Sequence, residues 1–384
     1  MTIQSQTIAL KGNKLSFSDP VLLFVTILIL TFGIVMVTSA SFMIASAKFG
    51  DGFYYTKRQG LAMIVGLGLM FLFSRINPFF WRDSAAVGLG LSLLLLILVF
   101  VPGIGVELGG SRRWVRLPLG FYIQPSEIIK YAMIIFFARS LAKKGEGVKS
   151  FAIGFLPHIL IMALVVMLAL AQPDFGLAVI ITTVGFLMMF VAGVRLQHLV
   201  GSAILCLPFL FQIGMSANYR FARVKSFLNP WADPLSTGFQ VIQSLVAFGC
   251  GGFWGVGLGK GIQKLFYLPQ PHSDFIMAVV GEELGLTGVI VIILLFYLLI
   301  FRGLMIAIRA QDTFLRCLAF GITALVGIQA VINMAVTMGL TPTKGLPLPL
   351  VSLGGTSLIS NLAGIGILMA ISATASAKKE GERR

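Results

Sequence analysis

Fourteen acidic residues are all that this 384-residue chain carries, and five of them lie inside or at the edge of long apolar runs: Glu127, Asp174, Asp274, Glu282 and Glu283. The others fall in polar loops or tails, where solvation accounts for them. A carboxylate at the centre of a bilayer costs at least ~2.5–3.5 kcal/mol on insertion scales, so one that persists there is paired or lines a cavity. Asp274 has the richest setting. It follows Leu268-Pro269-Gln270-Pro271-His272-Ser273 and directly precedes an apolar run, with Glu282 and Glu283 two helical turns further on. Two roles are open to it. A carboxylate at the rim of a membrane cavity can be the general base that deprotonates a hydroxyl, or it can cap the helix that follows by accepting free backbone N–H groups.

The remaining chemistry is ionic. Glu127 and Lys130 sit three apart in Gln124-Pro125-Ser126-Glu127-Ile128-Ile129-Lys130, on one face of a helix that Pro125 can open. They read as a self-neutralising pair, or as a lysine turned into a cavity to meet phosphate. Asp174, in Gln172-Pro173-Asp174-Phe175-Gly176, marks a tight break between two runs and reads as a cap or a site carboxylate. Arg112-Arg113-Trp114, Arg220, Arg223 and Lys344 form a positive set in three loops. Arginine presents forked donors that match phosphate oxygens, and attraction to anionic headgroups is the plainer alternative.

Other chemistries find little support. The histidines His158, His198 and His272 are far apart, and the cysteines Cys206, Cys250 and Cys317 are scattered, so neither a zinc site nor a disulfide framework is suggested. The glycine-rich stretch Gly249 to Gly261 fails as a phosphate-binding loop, because Trp254 stands where the first glycine belongs and Gly261 follows Lys260 where Ser or Thr is required. Its glycines suit a backbone that bends and packs closely. No cofactor is evident; a divalent cation could assist a pyrophosphate, but no ligand cluster in the sequence would hold one.

The elements that must position these residues are membrane helices. With 57% hydrophobic and 11% charged residues, the chain cannot hide its apolar surface in a water-soluble core. Runs long enough to cross ~30 Å of hydrocarbon fall at roughly 20–43, 58–76, 84–102, 124–142, 151–171, 175–194, 198–216, 275–304, 314–339 and 350–373. The expected fold is all-α: one polytopic membrane domain over 1–384 with about ten transmembrane helices. No removed signal peptide is expected, and both short tails, 1–19 and 374–384, are placed in the cytoplasm. The basic run Arg139 to Lys149 and the basic C-terminus set that orientation. The net charge of +15 is then a matter of topology rather than of nucleic acid binding. One large extracytoplasmic loop, 217–274, is rich in aromatic residues and reads as a folded structure at the membrane interface.

These stretches together resemble the SEDS family (shape, elongation, division and sporulation) of bacterial cell-wall proteins along nearly the whole chain. The matching motifs are Gly110-Ser111-Arg112-Arg113-Trp114, Gln124-Pro125-Ser126-Glu127, Gln172-Pro173-Asp174-Phe175-Gly176, Gln243-Ser244, His272-Ser273-Asp274-Phe275, Gly281-Glu282-Glu283-Leu284-Gly285, and Pro347-Leu348-Pro349 followed by Ser352-Leu353-Gly354-Gly355. Ser273 and Leu353 depart from the more familiar Thr and aromatic, and neither is expected to touch a carboxylate. Asn229-Pro230-Trp231-Ala232-Asp233-Pro234 and Pro342-Thr343-Lys344-Gly345 look like the family's division branch.

The resemblance implies a glycosyltransferase of the bacterial inner membrane that polymerises lipid II into peptidoglycan at the division septum. It works beside a class B penicillin-binding protein transpeptidase of the FtsI type and other division proteins, and its essential aspartate falls on Asp274. Substrate contacts are expected at Arg112, Arg113, Trp114, Glu127, Lys130, Asp174, Arg220, Arg223, His272, Glu282, Lys344 and Ser352. Two rival readings come from other classes: a lipid II flippase, and a scaffold that only recruits the transpeptidase.

Overall fold

The computed structural model describes residues 19–108, 111–116, 122–205, 225–265, 267–343 and 345–382, with side chains of the last helix described through residue 374. Arg220, Arg223 and Lys344 lie outside the described residues.

Apolar runs become helices whose ends are set by a few polar residues. Helix α1 (Pro20–Phe49) starts with Pro20 in its first turn and Asp19 as N-cap, whose carboxylate accepts from the Leu22 N–H at 3.0 Å. It stops at Gly50, which takes the left-handed conformation that a Cβ would strain. Next come α2 (Tyr54–Arg75), α3 (Phe79–Leu98), α4 (Pro125–Lys144), α5 (Leu156–Ala171) and α6 (Phe175–Val191). They are followed by α7 (Leu196–Leu205), α8 (Phe239–Gly251), α9 (Ile276–Arg309), α10 (Thr313–Thr337) and α11 (Gly355–Glu382). Among the described residues, six segments are long and apolar enough to cross a bilayer: α1, α3, the run Phe151–Ala171 that contains α5, α9, α10 and the Gly355–Thr374 part of α11. Helices α2, α4 and α6 fall on three more of the expected runs without being both long and apolar enough to join those six, and only the beginning of the run expected at 198–216 is described, in α7.

Most of the expected boundaries hold to within a few residues. The larger differences are of five to nine residues, as in the third helix, which starts at Phe79 rather than 84, where the Asn77 side chain just before the Pro78 N-cap accepts from the Phe79 N–H at 3.0 Å. The segment read as the loop 103–123 holds a small antiparallel sheet, β1 (Gly105–Leu108), β2 (Ser111–Arg116) and β3 (Tyr122–Ile123), in that spatial order. Helix α8 lies within the segment read as the large loop. Its 13 residues extend only about 20 Å, too little to cross ~30 Å of hydrocarbon.

Helices α10 and α11 form the centre, with 67% and 72% of their most apolar stretches buried against 22% for α3. Helix α1 runs antiparallel to α9 and is tied to it twice. Arg302 pairs with Asp19 at 2.7 Å, and Ser39 donates to the Glu283 carboxylate at 2.7 and 2.8 Å. The stretch of α1 between those ties rises about 30 Å, one hydrocarbon thickness. Asp274, just before α9, lies toward the Glu283 end of this pair of ties.

Helix α9 is broken. Gly285 has φ 65°, and a Cβ there would meet the Gly255 nitrogen at 2.4 Å, so only glycine fits. Backbone groups freed by the break are taken up by the segment after α8: Leu286 N–H donates to Gly252 and Thr287 N–H to Phe253, while Val256 and Gly257 N–H donate to the carbonyls of Glu282 and Glu283. In a water-poor layer such pairing is obligatory.

Candidate active site

Asp274 lies in the turn just before α9, and the capping role open to it from sequence is not the one it takes. Phe275 occupies the N-cap position, with no side-chain hydrogen bond to the helix end. The Asp274 carboxylate is half-buried and accepts from the Ser273 hydroxyl at 3.0 Å, so Ser273, expected from sequence to touch no carboxylate, does touch one, because its side chain follows the same turn.

Its backbone is fixed from three sides. Asn333, buried in α10, donates one amide proton to the Asp274 carbonyl at 2.9 Å and the other to Leu346 at 2.7 Å. The Ser352 hydroxyl donates to the Ser273 carbonyl at 2.6 Å and accepts from Leu348 N–H at 2.8 Å. Leu353 N–H donates to the His272 carbonyl at 2.9 Å. The segment that carries Ser352 reaches into the bundle, where Leu350 and Val351 press on Gly33; a Cβ there would come within 2.8 Å of both. Gln59 of α2 braces it, donating to Ser352 and accepting from Gly354 N–H. Two residues of this frame, Gln270 and Leu350, have φ of 54° and 64°. Such strain persists only where surrounding contacts over-determine the backbone, and it gathers at functional sites.

His272 is buried and stacks on Tyr55 of α2, ring centroids 4.8 Å apart and 25° from parallel. Burial, helped by the positive charge of Lys48, holds its imidazole down at about 4, so the ring is neutral at physiological pH.

Arg113 and Asp174 form a second group. Asp174 caps α6, accepting from Leu177 N–H at 3.1 Å, and lies 3.9 Å from the Arg113 guanidinium. Arg113 also donates to the carbonyls of Gln172 and Pro173, while Gln172 donates to Leu96. This group abuts the first: a Cβ on Gly176 would meet Leu346 at 2.7 Å, and the Leu346 carbonyl is the one Asn333 holds. Gly345 packs on the Asp274 carboxylate itself, where a Cβ would stand 3.2 Å from Oδ2.

Other expected contacts are engaged elsewhere. Arg112 is exposed and lies 3.5 Å from Glu107, its neighbour across the sheet; Trp114 on the same strand is partly buried. Glu127 and Lys130 pair at 2.7 Å, both buried, and Lys130 lines an apolar cavity of about 10 Å³, room for about one water. In this conformation the pair neutralises itself. Glu282 accepts from the backbone N–H of Ile262 and Gln263 at 2.7 and 3.1 Å, shaping the loop before the site. Sequence reasoning missed Asn333, Gln59 and Tyr55. None carries a charge, and each lies within or beside an apolar helix where single polar or aromatic residues are common.

Fold and site together define a polytopic helical membrane protein that presents a rigidly framed carboxylate in the turn before α9, next to the Arg113–Asp174 group. The chain matches the Cell cycle protein family, FTSW_RODA_SPOVE, over residues 20–377, and it belongs to that family. It is 51% identical over 354 residues to the "Probable peptidoglycan glycosyltransferase FtsW" of Geobacter metallireducens, covering 92% of this chain and 94% of the relative. Stage V sporulation protein E of Bacillus subtilis is 42% identical, with 94% and 98% covered. Among solved structures it is similar to a chain of a peptidoglycan synthase complex that coordinates polymerization and crosslinking, with TM-score 0.77, 31% identity, and 93% and 98% of the two chains covered. The Rod shape determining protein RodA of Thermus thermophilus superposes with TM-score 0.69 at 29% identity, with 94% and 98% covered.

Proposed function

We propose that this protein is a peptidoglycan glycosyltransferase of the bacterial inner membrane that polymerises lipid II at the division septum, with Asp274 as general base. The observation that carries the assignment of Asp274 is its setting: a half-exposed carboxylate, excused from capping α9, on backbone held by Asn333, Ser352 and Leu353. Catalysis rewards such pre-organisation. Membership of the family, and relatives named as peptidoglycan glycosyltransferases, support the reaction class.

In the proposed reaction Asp274 takes the proton of the 4-hydroxyl of the acceptor sugar as that oxygen attacks the anomeric carbon of the lipid-linked strand. The configuration inverts and undecaprenyl pyrophosphate leaves. Positive groups stabilise the departing charge. Arg113 is anchored on the Asp174 turn and Lys130 is paired with Glu127, so Lys344, next in sequence to the Gly345 that packs on Asp274, is the favoured candidate, with Arg220 and Arg223. Similarity to a chain of a synthase complex supports a partner that crosslinks what this chain polymerises, a class B penicillin-binding protein. Both termini are assigned to the cytoplasm on the charge pattern.

The test is polymerisation of lipid II by purified protein in detergent, where no sealed bilayer exists and transport has no meaning. Wild type forms glycan strands, and folded Asp274→Asn loses about 10²–10⁴-fold in rate. Asp274→Asn at the wild-type rate would sink the base assignment. A wild type that makes no polymer but moves lipid II across vesicles would favour the flippase.

A further inference from the structure

Two adjacent buried carboxylates and a buried lysine lie beside the proposed base without touching it. Glu283 is 0% exposed and Lys264 4%, in a chain where a buried charge without its partner is strongly destabilising. The Lys264 ammonium is 2.5 Å from Glu283 Oε1 and donates to the Ser39 hydroxyl at 2.8 Å, while that hydroxyl donates to Glu283. Glu283 Oε2 also accepts from Gly259 N–H at 3.0 Å. Among the described residues the cluster's charges are satisfied by one another, by Ser39 and by the Gly259 N–H.

Its place in the chain gives it a purpose. Lys264 and Glu283 meet at the base of the segment that runs between them, and Asp274 stands near the middle of that segment. From Lys264 the chain turns tightly, Leu268 N–H donating to Gln263 and Ser273 N–H to Gln270, with Leu268 buried. Asn333 and Ser352 hold the apex; the ion pair holds the base, and Ser39 fastens that base to α1. Glycine makes the closure possible. A Cβ on Gly255 would stand 2.2 Å from the Glu283 carbonyl, and one on Gly261 would stand 2.8 Å from the Glu282 carboxylate.

We infer that the Lys264–Glu283–Ser39 cluster is a positioning clamp that fixes the catalytic aspartate by closing the base of the segment that bears it. The inference rests on the functional reading above. It separates a tie that serves the reaction from a pair that merely permits burial.

Single substitutions leave a lone buried charge and tend to unfold the protein, so the informative variant removes both charges, Lys264→Met with Glu283→Gln, beside the conservative Lys264→Arg. Lipid II polymerisation is measured in detergent with thermal unfolding and amide hydrogen exchange. The expected result is a folded double variant whose kcat falls about 10²-fold, with KM within about threefold of wild type, reduced amide protection over residues 267–275, and recovery of most activity in Lys264→Arg. A double variant with wild-type kcat overturns the proposal, and so does one whose loss lies in KM alone, since that marks substrate binding. If wild type itself makes no polymer, the functional reading falls while the clamp is judged by exchange alone: unchanged protection over 267–275 then overturns it.

Discussion

Asn333 uses both of its amide protons on carbonyls, Asp274 on one side and Leu346 on the other, which also fixes which way its amide faces. Replacing it with Leu keeps the volume and takes the Asn333 donor from the buried Leu346 carbonyl, at ~1–3 kcal/mol, and from the part-buried Asp274 carbonyl, at less. Asn333→Leu is therefore expected to lower the unfolding temperature and to cut kcat by about tenfold or more, since small misplacements of a reacting group are costly. Unfolding and polymerisation assays on the same preparation check it, and unchanged kcat in a folded variant would refute the framing role. His272 yields a pH prediction. Its imidazole is held at about 4, below its ordinary 6.5, so the unfolded chain binds the extra proton first as pH falls. The stability it contributes is intact above pH ~6.5 and is lost between there and ~4. Unfolding temperatures across that window should fall with pH in wild type and fall less in His272→Gln. At this scale the charged residues were legible and the neutral ones were not: Asp274 and Asp174 announce themselves by their cost in an apolar run, whereas Asn333 and Gln59 resemble any polar residue that a long helix tolerates.

Elements were read from hydropathy, which sees length and apolarity but not breaks or returns. The run expected at 275–304 is the helix α9, yet its break at Gly285 depends on a pairing with residues 252–257, far off in sequence. The glycines between 249 and 261 and the Gly-Glu-Glu-Leu-Gly motif are the two halves of one packed junction, and neither half alone states what the other needs. Alanine at 285 would have to adopt φ 65° and place its Cβ 2.4 Å from the Gly255 nitrogen, a backbone atom with no flexible side chain to yield. The positive-φ extended backbone, a region essentially open to glycine alone, costs ~1–3 kcal/mol, and the clash adds to it. Gly285→Ala should therefore give little folded protein, read as a lower unfolding temperature and an early gel-filtration peak. Gly68→Ala, in α2 where a Cβ meets nothing within 4 Å, should be neutral in the same assays. The sheet over residues 105–123 escaped notice for a related reason: strands this short leave no period in the sequence, and β2 is fixed as much by Arg113 reaching the Asp174 turn as by its own ladder.

At the scale of the whole molecule, the bundle leaves a largely apolar cavity of about 250 Å³ bounded by α2, α3, α4 and α11, with Trp81, Gly88, Tyr131 and Gly364 among its lining residues. Hydropathy foretold the helices around it but not the space, because a cavity arises from where small residues of several helices coincide. A substrate whose tail is a long hydrocarbon needs such a place beside a polar site, and α4 and α11 connect this one to the Asp274 end, where Gln124 N–H donates to Thr356. A Cβ on Gly88 meets nothing within 4 Å, so a larger side chain there enters open space rather than clashing. Gly88→Leu should fold normally and place its side chain where a polyprenyl chain would lie. Loss of binding shared by ground and transition states raises KM and spares kcat, so the expected change is a KM for lipid II about fivefold higher or more, at nearly unchanged kcat. A lipid II analogue with a short tail should show a smaller difference between variant and wild type. Equal effects on both substrates would mean that the cavity does not hold the tail.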